Sequence, residues 1–388
     1  MECDEKLTIG MPDPDELEIT TIGPGKANGE SILVHLGSGE WMIVDSCISG
    51  EIVLPLYYLC KIGVSPLQVT KVICTHWHTD HVRGMPRVLE ECKNALLAMA
   101  PVSDRKGNLS RILKLAGLKT VNSNVWNIFD ACLAELAKNG RPKPDYLFKD
   151  APVIVPKAGP VEMNTVGPAD IMLDNFLVSL ANLTPDNPNV TQVENLEGNL
   201  CSLALTMRFV DQKVLLGGDM ETGRSDKYNH SLCAKNCATH SEVGWCDAIN
   251  GIAYQTCKPF NLVKLPHHSS ENAYCPIMWK TDMVSPIAVT TSFQNTQSEN
   301  HPRKEMLNEY LQYCSKLYST CGIDAAVAVT DESGIHDFND DEDVQVVDRI
   351  EEGIGIVVCR WKKDVGWREY CFGEGSLVNQ QYLSHYHQ

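Results

Sequence analysis

The chain has 388 residues, 43% hydrophobic and 21% charged, which is enough apolar content for a sizeable core in one large domain or two ordinary ones. Its formal net charge of −17 at pH 7 excludes loose, general coating of DNA or RNA, although a cleft holding metal ions would supply its own local positive field. Met1–Glu5 carries no basic region leading into an apolar run, and no stretch approaches the ~18 apolar residues of a membrane span, so a cytoplasmic protein without membrane contact is expected.

The first hundred residues alternate strand and helix. Leu17–Pro24, Ser31–Leu36 and Trp41–Asp45 are short β-rich runs separated by glycine turns. Ile52–Ile62 has helical spacing and stops at Gly63, Val69–Cys74 is a further strand, and Arg83–Ala100 reads as helix. Residues 104–149 form an expected helical insertion, best patterned over Val125–Leu136 and broken by Arg141–Pro144. A second half, 161–378, is expected to carry strands at Ser202–Phe209, Lys213–Leu216, Asn261–Leu265, Ile287–Thr291, Ala325–Val329, Ile354–Arg360 and Trp367–Phe372, with a helix over Pro302–Leu317. Two mixed halves with strands inside and helices outside point to a single domain, 15–378, built as a four-layer αββα sandwich of the α/β class. The charge run Asp340–Glu352 reads as a solvated face.

The strongest chemical signal follows the strand Val69–Cys74: Thr75-His76-Trp77-His78-Thr79-Asp80-His81, the pattern H-x-H-x-D-H. A loop leaving a strand end can turn two alternating imidazoles toward one ion, and a carboxylate and third imidazole toward another. Two more strand ends carry ligand types. Lys213–Leu216 runs through two glycines to Asp219, whose carboxylate can bridge two cations, and Asn261–Leu265 runs through Pro266 to the paired His267 and His268.

With these residues the chain resembles the metallo-β-lactamase superfamily from about residue 15 to 375. Its motif order is similar to the branch containing the hydrolase domain of the bacterial DNA-uptake (competence) channel protein. The residues that carry this are Gly23-Pro24-Gly25, Glu30-Ser31, the strand ending in Asp45-Ser46, Asn199 with Ser202, Gly218-Asp219, and Lys264 through Ser270. Stand-alone bacterial proteins of this branch, some found beside antiviral ATPases, are similar as well, which implies antiviral defence and a protein partner in it. The resemblance implies that His76 and His78 bind a first metal ion, that Asp80 and His81 bind a second, and that Asp219 bridges. It implies a remaining ligand from the histidine pair, taken as His267 with His268 behind it, and an Asp45 that holds a ligand imidazole by its distal N–H. One or two Zn²⁺ ions are the implied cofactor. Many members have a further histidine before the bridging aspartate. Here none stands between His81 and Asp219, and the corresponding Gly198–Ser202 offers only weaker ligands, so Mn²⁺ can replace Zn²⁺ at the first site.

The activity expected is hydrolysis of a phosphodiester, in nucleic acid or a nucleotide, by metal-activated water. Asp80 would orient the water as well as ligate, and His268 or His301 would protonate the leaving alkoxide. Two alternatives stay open: hydrolysis of a thioester, lactone or β-lactam, and a metal-binding module without turnover. Asp219 stands where the β-lactamase branch has cysteine. Sixteen cysteines without paired spacing read as reduced, mostly buried thiols. On the same reading His230, Cys233, Cys237, His240 and Cys246 are ordinary residues, not a structural zinc site, and Trp245 packs in the core.

Overall fold

The computed structural model describes residues 6–25, 27–100, 124–153, 161–174, 198–222, 243–294, 300–321 and 350–385. The chain begins with β1 (Leu17–Gly23), β2 (Ser31–His35) and β3 (Trp41–Val44). A small hairpin, β4 (Ile48–Ser49) and β5 (Ile52–Val53), leads into the helix Leu54–Lys61. Then come β6 (Val69–Cys74), β7 (Leu96–Met99) and β8 (Asp145–Tyr146). The following strands are β9 (Val161–Thr165), β10 (Leu205–Phe209), β11 (Gln212–Leu216), β12 (Phe260–Lys264), β13 (Met283–Thr290) and β14 (Lys316–Ser319). The last are β15 (Gly355–Lys362), β16 (Gly366–Gly373) and β17 (Ser376–Leu377). Among the described residues these form an eight-stranded sheet in the order β16-β15-β1-β2-β3-β6-β7-β8 and a seven-stranded sheet in the order β17-β14-β13-β12-β11-β10-β9.

Side chains alternate faces along each strand, and the contacts follow that period. Ile32, Val34, Met42 and Val44 enter one apolar cluster with Leu205, Met207, Val214, Leu216, Leu262 and Val289 of the other sheet, which makes the inter-sheet core. Their neighbours Leu33, Ile43 and Val72 turn the other way, onto Leu54, Tyr58 and Leu59 of the first helix. Leu215, Val263 and Ala288 face outward onto Trp245, Tyr254 and Tyr310. Three apolar layers between four layers of structure are the αββα sandwich of the metallo-β-lactamase fold expected from the sequence.

Strand direction decides where the ligands can gather. β3 pairs parallel with β6, and β11, β12 and β13 are mutually parallel. Within each sheet, parallel strands bring their carboxyl ends to one edge, where loops can hold a ligand. The segments after β3, β6, β11, β12 and β13 are those bearing Asp45, His76 to His81, Asp219, His268 and Thr291.

Several expectations are corrected. Arg83–Ala100 is not one helix: the helix covers Met85–Glu91, and Leu96–Met99 is β7, paired parallel with β6. An alternation that buries Leu97 and Met99 toward the helices and Ala98 toward the core overrides helical spacing there. The helix expected at Pro302–Leu317 covers Lys304–Leu311, and β14 begins at Lys316. β15 and β16 extend the first sheet beside β1, so the chain's last hairpin returns to the half it left. Of the helical insertion, Asn124–Lys138 is helix, while 104–123 lie outside the described residues, as do the strand expected at 325–329 and most of the charge run. Eleven described cysteines form no disulfide, ten of them buried, but Cys60 and Cys246 are disulfide-bonded, which departs from the expectation of reduced thiols throughout. Trp245 is buried in the core, its indole N–H donating to the Met220 carbonyl at 2.7 Å. His230, Cys233, Cys237 and His240 lie outside the described residues.

Candidate metal centre

β3 ends one residue before Asp45, which takes a left-handed backbone (φ 59°) and donates its N–H to the Ile73 carbonyl at 2.8 Å. This sets its buried carboxylate beneath the loop after β6. There Oδ1 accepts from the Thr75 N–H at 2.8 Å, and Oδ2 accepts from the Thr75 hydroxyl at 2.6 Å and from His81 Nδ1 at 2.8 Å. The Thr75 hydroxyl has one proton and gives it to Asp45, so its oxygen accepts from His76 Nδ1, 3.0 Å away. Both imidazoles therefore carry a proton on Nδ1 and, when neutral as a metal ligand must be, turn a bare Nε2 inward, as the expected role of Asp45 requires for His81.

Asp219 arrives through Gly217 and Gly218. A side chain on Gly218 (φ 52°) would stand 2.4 Å from the Leu203 carbonyl oxygen, and one on Gly217 would stand 2.9 Å from Pro266. The two glycines let β11 pass between its neighbours and deliver the carboxylate. The Asp219 N–H then donates to Ser202 Oγ at 3.0 Å. Ser202 Oγ lies 3.5 Å from His76 Nδ1, so the stretch without a histidine backs His76 instead of adding an imidazole.

The turn after β12 has three consecutive non-glycine residues in the left-handed region: His267 (φ 45°), His268 (φ 49°) and Ser269 (φ 63°). Each costs on the order of 1 kcal/mol, and together they point the two adjacent rings apart. His268 is buried, with Nε2 3.4 Å from Asp80 Oδ2 and 3.6 Å from Asp219 Oδ2. His267 faces away. Its Nε2 lies 3.1 Å from Asn199 Nδ2, and its Nδ1 lies 2.9 Å from Ser270 Oγ and 3.2 Å from Glu221 Oε1. The pair is therefore exchanged relative to the sequence expectation: His268, not His267, joins the cluster. The left-handed turn, which no residue type in it demands, makes the difference.

The structure brings together His76, His78, Asp80, His81, Asp219 and His268. His76, His78 and Asp219 offer ligand atoms within 4.8 Å of one another, and so do Asp80, His81 and His268. His81 Nε2 is 3.2 Å from Asp219 Oδ2 and 3.7 Å from Asp80 Oδ2, and His76 Nε2 is 3.7 Å from Asp219 Oδ2. The Nε2 atoms of His76, His81 and His268 and Oδ1 of Asp219 are buried and make no hydrogen bond. Buried polar atoms are rarely left so. Ligands about 2.0–2.1 Å from a tetrahedral ion stand about 3.3 Å apart, close to these separations. Three inward lone pairs and a shared carboxylate fit a divalent transition ion.

Without metal, the carboxylates and imidazoles act on one another: although burial would lower it, Asp219, Asp80 and Asp45 hold His81 well above the usual imidazole range. Burial would raise the Asp80 and Asp219 carboxyls, but His81 and His268 outweigh it and hold both below the usual carboxylate range. Burial and the neighbouring His81 and His78 push His76 well down, toward the neutral form that ligates.

His301 lies near His267, with ring centroids 6.2 Å apart, and is buried. Burial first, then the nearby His267 and His268, lower it to about 4. A neutral imidazole is a weak acid at pH 7, which argues against the proton-donor role expected for His301. His268 is fully buried and turns Nε2 to Asp80 and Asp219. Sequence reasoning assigned no role to Thr75, Thr291, Glu30 or Lys264, and no spacing marks a hydroxyl or an ion pair that works from behind a ligand.

Residues 25–163 match the family model described as "Metallo-beta-lactamase superfamily". No curated protein matches the chain significantly. Among solved structures, the metallo-beta-lactamase fold protein YhfI from Bacillus subtilis is 12% identical, covering 76% of this chain and 80% of its own, with a TM-score of 0.34. A putative metallo-beta-lactamase from Thermotoga maritima is 14% identical, covering 57% of this chain and 86% of its own, with a TM-score of 0.32. A motif mutant of the metallo-beta-lactamase from Cronobacter sakazakii is 11% identical, covering 63% and 75%, with a TM-score of 0.33. The matched segment contains the H-x-H-x-D-H loop and Asp45, so over residues 25–163 the chain is similar to the metallo-β-lactamase superfamily.

Proposed function

We propose that the protein is a metal-dependent hydrolase of phosphodiesters in nucleic acid or nucleotides, with one or two Zn²⁺ ions, Mn²⁺ being the alternative at the first site. The observation that carries this reading is that Asp219, grouped with His76 and His78, also has Oδ2 3.2 Å from His81 Nε2 and 3.6 Å from His268 Nε2. His76, His78 and Asp219 would hold one ion, and Asp80, His81, His268 and Asp219 the other. When bound, such ions polarise water and the phosphoryl oxygens, and a pair can clamp the attacking and leaving oxygens of an in-line displacement.

The chain's own residues do the rest. Asp45 and Thr75 hold the Nδ1 protons of His76 and His81, so that both rings present Nε2 lone pairs to a metal. Asp80 is 10% exposed at its side chain, against 2% for Asp219. As the more exposed of the two carboxylates, Asp80 would orient the attacking water. Antiviral defence, with a protein partner there, is the setting the family resemblance implies, and we carry it as part of the proposal.

The test is a screen of metal-reconstituted protein against bis-p-nitrophenyl phosphate, linear DNA, RNA, cyclic nucleotides and a lactone. Metal-dependent turnover of a phosphodiester is expected, falling by orders of magnitude in Asp219→Asn. Lactone turnover alone would replace the substrate class, and bound metal without any turnover would make the protein a binding module.

A further inference from the structure

We infer that Glu30 is a positioning residue for His268, acting through the hydroxyl of Thr291 and anchored by Lys264; the inference rests on the metal-hydrolase reading for its consequence, though not for its geometry. His268 Nδ1 lies 2.8 Å from Thr291 Oγ1, and the Thr291 hydroxyl donates to Glu30 Oε2 at 2.9 Å. The same carboxylate oxygen is ion-paired with Lys264 Nζ, which also donates to the Leu265 carbonyl at 2.7 Å. All four side chains are buried.

The proton count along this line has one solution. A carboxylate only accepts, so the single Thr291 proton goes to Glu30, and the Thr291 oxygen must accept from His268 Nδ1–H. The neutral His268 ring then has a bare Nε2, the atom facing Asp80 and Asp219. Glu30 precedes β2 in the first sheet, whereas Lys264 ends β12 and Thr291 follows β13 in the second, so the line crosses the sandwich. A buried Lys–Glu pair gains little stability over an apolar pair of the same size, which directs attention to what it orients. The arrangement repeats that at His76, where Thr75 links the ring to Asp45. One centre thus uses an imidazole–threonine–carboxylate line twice, once from each sheet.

Direct ligation by Glu30 is the rival. Its Oε1 is buried without a hydrogen bond, and its carboxylate falls within 4.8 Å of ligand atoms of Asp219 and His268. The experiment separates the two. Metal-free protein carrying ¹⁵N-labelled histidine is compared by NMR with Thr291→Val, Thr291→Ser and the double variant Glu30→Gln/Lys264→Met, which leaves no unpaired buried charge. Co²⁺ affinity is then measured for each. The wild type should show His268 protonated at Nδ1 alone. Thr291→Val and the double variant should populate the Nε2–H form and bind Co²⁺ about 10–100-fold more weakly, with Thr291→Ser restoring both. An unchanged tautomer in Thr291→Val overturns the inference. So does loss of Co²⁺ in the double variant with full binding by Thr291→Val, which would make Glu30 a ligand. A wild type that binds no Co²⁺ would sink the metal reading, while the tautomer measurement still decides the line to Glu30.

Discussion

Asp45 and His81 are 36 residues apart in the chain, yet His81 Nδ1 and Asp45 Oδ2 stand 2.8 Å apart in the buried floor of the site. The carboxylate also takes the Thr75 hydroxyl, so it fixes two imidazoles at once. Asp45→Asn keeps the volume and loses the acceptor that orders both rings. Metal affinity should fall about 10–100-fold, measured by competition with a chromophoric chelator. Wild-type affinity in this variant would remove Asp45 from the centre's support.

The exchanged histidine pair gives a sharper test. His268→Ala removes an inward Nε2 and should lower the metal content of purified protein. His267→Ala cuts contacts to Asn199, Ser270 and Glu221 and should leave metal content unchanged. Elemental analysis of both variants suffices, and the opposite pattern would restore the original assignment of the pair.

Gly218 is the position where backbone shape is least negotiable. Gly218→Ala combines a left-handed residue with a methyl group 2.4 Å from the Leu203 oxygen. The strand end must shift, carrying Asp219 with it. Stability should drop by about 1–3 kcal/mol, and bound metal should fall. A urea midpoint equal to that of the wild type would show the turn to be softer than its contacts imply.

His301 makes stability depend on pH. Its folded value is about 4 against an ordinary 6.5, so between those values the unfolded chain binds a proton that the folded chain does not. Stability of the metal-free protein should therefore rise with pH across that window. His76, also pushed down, acts in the same direction. His301→Gln should make the rise shallower, read as the difference between urea midpoints at pH 4.5 and 6.5. An equal difference in both proteins would mean that His301 titrates normally.

The layer plan and the candidate ligand types are legible along the chain. H-x-H-x-D-H places its ligands within six residues on one loop, and such short-range geometry survives almost any tertiary arrangement. The Gly217-Gly218 run before Asp219 announces a tight delivery, and strand alternation such as Ile32, Leu33, Val34 separates the two faces of a sheet without reference to the rest of the chain. Other features depend on partners distant in the chain. Leu96–Met99 became a strand because β6 offered a parallel edge, and β15 and β16 joined the first sheet because β1 had a free one. The choice between His267 and His268 lay with a left-handed turn held by the Gly218 carbonyl, which accepts the His267 N–H at 2.9 Å. Glu30 and Thr291 meet across 261 residues, and no pattern in a linear sequence records a hydroxyl that connects two sheets.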